Sequence, residues 1–295
     1  MRPAEAGIIY DIGYQRYEGA RLGRGYAFRT LFAHSMRQAW GMGRGGKALI
    51  VPFGIFAVIL FPAALQVILE AVSGGQAKLL GYADYFNYVQ GMVVLFCAAQ
   101  APELVSTDQQ HRVLPLYFSR ALRRQDYAAA KLLAMIAALW ILVLVPMVLL
   151  FIGHISAATD VGLALKAERA NIVPVLASTL AVAGVLGGLA VALASLTPRR
   201  ALASAVIFGM VILTTAVSGI IEEAADDSGR YASFLSPLRI LSGMIQWLFE
   251  VPPRMEKGVQ LPPDPISGAT YTGMAVALVV LSSATIFARY AKVRT

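Results

Sequence analysis

Six stretches of this chain are each long and apolar enough to demand a hydrocarbon solvent, and that constrains the fold more than any motif does. A helix needs roughly 20 mostly apolar residues to cross a hydrocarbon core about 30 Å thick. In lipid, every backbone polar group must be paired within the protein, so such runs are read as helices. The runs lie near 48–69, 86–106, 128–152, 172–196, 201–221 and 269–290. The run from Ala128 through Ile152 is the clearest, interrupted only by Pro146. Pro52 and Pro62 fall inside the first run, where neighbouring helices can satisfy the freed carbonyls. Only Thr197, Pro198, Arg199 and Arg200 separate the fourth and fifth runs, which predicts a tight hairpin. The predicted fold is an all-α polytopic membrane protein with six transmembrane helices.

Composition agrees. The chain is 58% hydrophobic and 14% charged, whereas a soluble domain is roughly 45–50% apolar and about 25% charged. A net charge of +8 raises the question of nucleic acid. The basic residues, however, stand in short clusters between apolar runs, with no aromatic interleaving that would make a stacking platform, so no nucleic-acid partner is expected. The single Cys97 falls inside an apolar run and is read as a small hydrophobe; no intrachain disulfide or CxxC site is possible. The first forty residues, about that many, are polar, aromatic and Arg-rich, so insertion is expected to be driven by the first apolar run and not by a cleavable signal.

Charge sets the predicted orientation. With both termini in the cytoplasm, 18 of the 25 Lys and Arg residues lie on the inner side and 7 on the outer side; the opposite arrangement violates the positive-inside rule. The expected location is the plasma membrane. The stretch from Phe234 to Val251 is apolar enough to suggest a seventh span, but it is short and carries Arg239 at its middle. A seventh span would also move Arg289, Lys292 and Arg294 outside. Leu238, Leu241, Ile245, Leu248 and Phe249 recur at helical spacing, which predicts an extracellular interfacial or re-entrant helix before the last span. Glu222, Glu223, Asp226 and Asp227 before it are read as an acidic outer cap, either a solvated helix end or a substrate vestibule. Between Tyr26 and Trp40, Phe28, Leu31, Phe32, Met36 and Trp40 alternate with Arg29, Arg37 and Gln38, predicting an N-terminal amphipathic elbow helix. The chain therefore divides into a cytoplasmic segment over 1–47 and a six-span domain over 48–295, with an outer segment over 222–268.

Catalytic signatures are missing. Gly41-Met-Gly-Arg-Gly-Gly46-Lys47 has phosphate-loop spacing, but Ala48 follows in place of Ser or Thr, and no strand precedes it. A hinge before the first span is the better reading. No HExxH or GxSxG occurs. His34, His111 and His154 stand in separate segments, so no metal site is predicted. Span centres hold nothing more polar than Gln66 and Gln90, whereas ion-coupled transporters keep ionisable groups at that depth. A non-catalytic subunit driven from elsewhere is expected; an ion-coupled secondary transporter and a membrane-embedded assembly or enzyme component are the alternatives.

The inner loop after the second span is the most informative segment. It runs Glu103-Leu-Val-Ser-Thr-Asp108-Gln-Gln-His111-Arg112-Val-Leu114-Pro115-Leu-Tyr117-Phe118-Ser119-Arg120-Ala121-Leu-Arg123-Arg124-Gln-Asp126-Tyr127, with Lys131 beyond. Asp108 is expected to cap a short helix bearing Val113, Leu114, Tyr117 and Phe118. So apolar a loop either lies on the membrane surface or docks into a groove of a cytoplasmic partner; the residues alone leave both open.

This loop resembles the coupling-helix region of ABC-2-type ABC transporter permeases. In that family a Glu near the inner end of span two precedes a short helix, a Leu-x-x-Ser-Arg-Pro-like turn, and an Arg and Lys opening span three. Glu103, Leu116, Ser119, Arg120, Arg123 or Arg124, Tyr127 and Lys131 match. Ala121 stands where the family has Pro, which softens the turn. Tyr10-Asp-Ile-Gly-Tyr14-Gln-Arg-Tyr17-Glu-Gly19 is also similar to the leader of some such permeases, and the layout matches over nearly the whole chain. The resemblance implies one half of an exporter for a hydrophobic or amphipathic substrate. It would work with a second permease copy, in a homo- or heterodimer, and two copies of an ABC ATP-binding subunit. ATP and Mg would be bound by those subunits and not by this chain. It implies that a coupling loop over 107–127 engages the ATPase through Glu103, Asp108, His111, Arg112, Leu114, Tyr117, Phe118 and Arg120. Gly184, Gly187, Gly188 and Gly209 permit close helix approach, and for the fourth span packing within one subunit is the preferred reading.

Overall fold

The computed structural model describes residues 19, 22–43, 45–76, 80–119, 122–158, 160–224, 229–250, 254–256, 259–261 and 266–292. Most of the Tyr10–Gly19 leader, Asp226 and Asp227 of the acidic cap, and Arg120 and Ala121 of the loop lie outside the described residues.

Helix α1, Arg24–Ala39, buries Leu31, Ser35 and Ala39, spaced one turn apart, and lays Phe28, Phe32 and Met36 against the core. Trp40 ends it and sits among the rings of Phe53, Phe56 and Phe96, with centroids 5.5 to 5.7 Å away. The glycines that follow reverse the chain. Gly41, Gly43 and Gly45 all have positive φ, and a Cβ on Gly41 would collide with the Ala48 carbonyl. The phosphate-loop spacing thus belongs to a tight turn between two helices, not to a strand-to-helix loop.

Among the described residues, six helical segments are long and apolar enough to cross a membrane. They are α2, Gly46–Ser73; α3, Tyr82–Leu104, which continues through Val105 into α4, Ser106–Gln110; and α6, Arg124–Ser156. The others are α7, Val161–Glu168, joined by the 3-10 turn Arg169–Asn171 to α8, Ile172–Ser195; α9, Arg200–Ala224; and α11, Gly268–Ala291. Between α4 and α6 lies the short α5, Leu114–Phe118. The 33 residues of α6 span about 50 Å at 1.5 Å per residue, well beyond a hydrocarbon core of about 30 Å. Its ends therefore carry polar groups outside the apolar belt, Asp126 at one and His154 at the other.

Helices α3 and α8 form the centre, with 67% and 72% of their apolar windows buried, against 17% for α9 and 22% for α2 and α11. The peripheral three present apolar side chains such as Phe61, Ile68, Leu213 and Val280 outward, as lipid-facing helices must. Close approach at the centre relies on small residues. A Cβ on Gly184 would meet Val279 at 3.3 Å, one on Gly188 would meet Ser282 Oγ at 2.6 Å, and one on Gly187 would meet Leu139 at 3.1 Å. Gly209 is different: nothing stands within 4 Å of its Cβ position. Cys97 is buried.

Helix α10, Pro237–Leu248, covers the stretch that sequence left between a span and a surface helix. Twelve residues cover about 18 Å, too short to cross. It packs on α11, α8, α3 and α9, buries Leu238, Leu241 and Ile245, and brings Gly243 so close to Tyr271 that a side chain there would overlap the ring. Arg239 forms an ion pair with Glu222. An antiparallel hairpin, Arg254–Glu256 with Val259–Leu261, follows; the all-helical expectation did not include it.

Candidate functional site

One end of the bundle gathers α1, the C-terminal ends of α3, α8 and α11, and the N-terminal ends of α6 and α9. At this end α4 is tied to three neighbours. Ser106 donates to the Ala194 carbonyl at 3.0 Å, and Gln109 donates to the Ser195 carbonyl at 3.0 Å and to the Tyr290 hydroxyl at 3.3 Å. Asp108 accepts from the Tyr127 hydroxyl at 2.8 Å and pairs with Lys131 Nζ at 2.8 Å. Lys131 is 1% exposed. A buried ammonium is costly unless paired and hydrogen-bonded, so this ion pair fixes where α4 meets α6.

Asp108 is therefore not the cap of the following helix. It lies inside α4, because α3 extends through Val105 by one more helical segment than the hydropathy suggested, and α5 begins at Leu114 with Val113 before it and no side-chain cap. Arg112 supplies the turn between them with φ of +52°, and the Val113 N–H closes it on the Asp108 carbonyl at 3.2 Å. Pro115 opens α5, where a missing N–H costs nothing.

Helix α5 sits on an aromatic base. Leu114 is buried; the Tyr117 and Phe118 rings lie 5.5 Å and 6.0 Å from Tyr127, and the Arg124 guanidinium stands 6.0 Å from the Phe118 ring. Burial and the Asp108 charge push the Tyr117 phenol above its ordinary range. Leu116 points away from this base and is 68% exposed. His111 and Arg112 are exposed beside it.

The margin is braced by further ion pairs. Asp126 takes two hydrogen bonds from Arg24, at 2.7 and 2.5 Å, and one from the Arg123 N–H at 3.0 Å, closing a capping box at the start of α6. Glu103 pairs with Arg200 of α9, and its carbonyl accepts from Gln38 at 2.8 Å. Glu103, Asp108, Leu114, Tyr117 and Phe118 thus meet one continuous base, while His111 and Arg112 face outward from it. Gln109 and Tyr290 carry no signal in the sequence, whereas Tyr127 and Lys131 match the pattern of the resemblance without revealing that both meet Asp108.

A second polar cluster lies at the opposite end and was missed. His154 of α6 has Nε2 3.2 Å from Glu70 of α2, and Nδ1 3.7 Å from Glu168 of α7 and 3.2 Å from the Tyr82 hydroxyl of α3. His154 reads as isolated because its partners are 84 residues before it and 14 after it. Among the described residues, no group of three His, Cys, Asp or Glu side chains is placed to hold a metal ion.

No protein-family model matches the chain, and no curated protein matches it at a significant level. The functional reading rests on the geometry and on the resemblance of the loop.

Proposed function

We propose that this chain is the permease subunit of an ATP-driven exporter of the ABC-2 type, with both termini in the cytoplasm and the α4–α5 end facing a separate ATP-binding subunit. The observation that carries the reading is the mounting of α5. A short helix with an outward apolar residue, Leu116, stands on a base bonded to α6, α8 and α11. A helix of this kind suits insertion into a groove, and a base bonded to three spans moves them together when it is pushed. Two permease copies and two ATPase subunits make the working unit. Helix α1 serves as the elbow at the inner surface, and α10 lies toward the outer leaflet. ATP and Mg belong to the partner, and this chain does no chemistry of its own.

The test is purification of the full chain from its native membrane, with assay of the accompanying Mg-dependent ATP hydrolysis. Wild type is expected to carry an ATPase with it. Leu116→Glu is expected to lose most of that ATPase while melting at the wild-type temperature, since the residue touches little of its own chain. Retention of full ATPase by Leu116→Glu would remove α5 from the contact.

A second reading, ion-coupled secondary transport, has one observation in its favour. Glu70, His154 and Glu168 bring ionisable groups of three membrane-length segments together at one end of the bundle, and ion-coupled transporters work through ionisable groups on their spans. Gradient-driven transport by the purified chain without ATP would establish it.

A further inference from the structure

The stretch from Gly19 to Leu69 carries six Lys or Arg residues and no Asp or Glu. Helix α1 lies within it, and its cations have different fates. Arg24 is taken by Asp126. Arg29 and Arg37 are exposed and form no ion pair among the described residues. At 3.6 residues per turn, Tyr26, Arg29, Thr30, Ala33, His34 and Arg37 share one side of the helix, and all are exposed. The opposite side is spent on the bundle: Leu31, Ser35 and Ala39 are buried, and Phe28, Phe32 and Met36 pack on the core. An interfacial helix ordinarily gives its apolar side to lipid. Here that side is occupied, and the side left outward is cationic.

The helix stands where the hydrocarbon begins. Trp40 ends α1 and packs on Phe53 and Phe56 in the first three turns of α2, where Ile50, Val51 and Phe53 are exposed apolar residues of a lipid-facing span. Arg37 stands less than one turn before Trp40, and Arg29 lies about 12 Å farther along the axis. The described carboxylates of this end, Glu103, Asp108 and Asp126, are already held by Arg200, Lys131 and Arg24.

We infer that the outward side of α1, through Arg29 and Arg37, binds the headgroup of an anionic phospholipid. Basic residues beside a span attract anionic lipid, and the guanidinium fork matches a phosphate. The long arginine stem carries its charge to the headgroups while the helix stays on the bundle. A position within one turn of the hydrocarbon edge favours lipid over an acidic protein surface. The inference rests on the membrane reading of α2 alone, so its failure leaves the permease reading untouched.

The experiment uses the full chain carrying Cys97→Ala and Ala33→Cys, with a small fluorophore on the new cysteine at the middle of the exposed side. The protein is reconstituted in vesicles of phosphatidylcholine mixed with phosphatidylglycerol, and a trace of one lipid or the other carries a nitroxide at a shallow acyl position. At low salt the nitroxide on phosphatidylglycerol is expected to quench far more strongly. A cation near an anionic surface is worth about five-fold in local enrichment, hence about 25-fold for two. Salt at about 1 M, where the Debye length is about 3 Å, is expected to bring the two lipids level. Arg29→Gln with Arg37→Gln is expected to do the same at low salt. Arg199→Gln, which removes an exposed cation from the α8–α9 turn, is expected to leave the difference intact. Equal quenching by the two lipids at low salt, with both arginines present, would overturn the inference, and is the outcome if an acidic protein surface is the partner. A preference that survives the double substitution, or that Arg199→Gln removes equally well, would overturn α1 as the site. The salt and lipid arms use both arginines as they stand, so a variant that fails to fold leaves them intact.

Discussion

The two ends of this bundle meet the same requirement with different chemistry. Each holds carboxylates that are shielded from water and must be matched. At the α4–α5 end Asp108 has Lys131, Asp126 has Arg24 and Glu103 has Arg200. Lys131, Arg24 and Arg200 are the cations that match the carboxylates at this end. At the other end Glu222 has Arg239, but Glu70 and Glu168 share a histidine, the side chain whose charge changes near neutrality. An end built on permanent cations can pass on a push.

The sharpest way to break the comparison is Lys131→Met. It leaves Asp108 buried without its cation, and an orphaned buried charge costs about 3–5 kcal/mol. Melting of the purified protein in detergent is expected to show a loss of that size at neutral pH that shrinks as pH falls and the orphaned carboxyl takes up a proton, and Asp108→Leu added to Lys131→Met is expected to recover most of it. His154→Gln probes the other end. Hydrogen bonds to charged groups are worth about 1.5–3 kcal/mol, so a loss in that range is expected. The absence of any loss would leave His154 without a part in holding this end together.

Gly188→Val tests the packed centre that both ends share. Its Cβ would stand 2.6 Å from Ser282 Oγ, and overpacking of this kind costs about 1–3 kcal/mol, without pH dependence. Gly209→Ala is the smallest effect. With nothing within 4 Å of the added methyl, only the helix preference for Ala over Gly operates. A gain of no more than about 1 kcal/mol in melting stability is expected; a large loss would reveal an occupied surface at Gly209.

Much of the architecture was legible in the apolar runs. The run read from Ala128 to Ile152 is the middle of α6, and the polar Thr197–Arg200 segment joins α8 to α9 as a short turn. The basic amphipathic stretch before the first span is α1. Legibility failed where helices outlast their apolar cores. The extension of α3 into α4 put Asp108 inside a helix, and the long ends of α6 brought in Asp126 and His154. Hydropathy is blind to such ends because backbone hydrogen bonds continue into polar sequence at no penalty once water or side chains are available.

The sequence by itself determined how many times the chain can cross and where the crossings lie. Each span must satisfy its own backbone and solvate its own surface in lipid, and both are local properties of about twenty residues. Only the tertiary structure decided which polar side chains meet. Helix neighbours in lipid are chosen by close packing at residues such as Gly184, Gly187 and Gly188, not by hydrophobicity. That packing carries Glu70, His154 and Glu168 to one point and Asp108, Tyr127 and Lys131 to another.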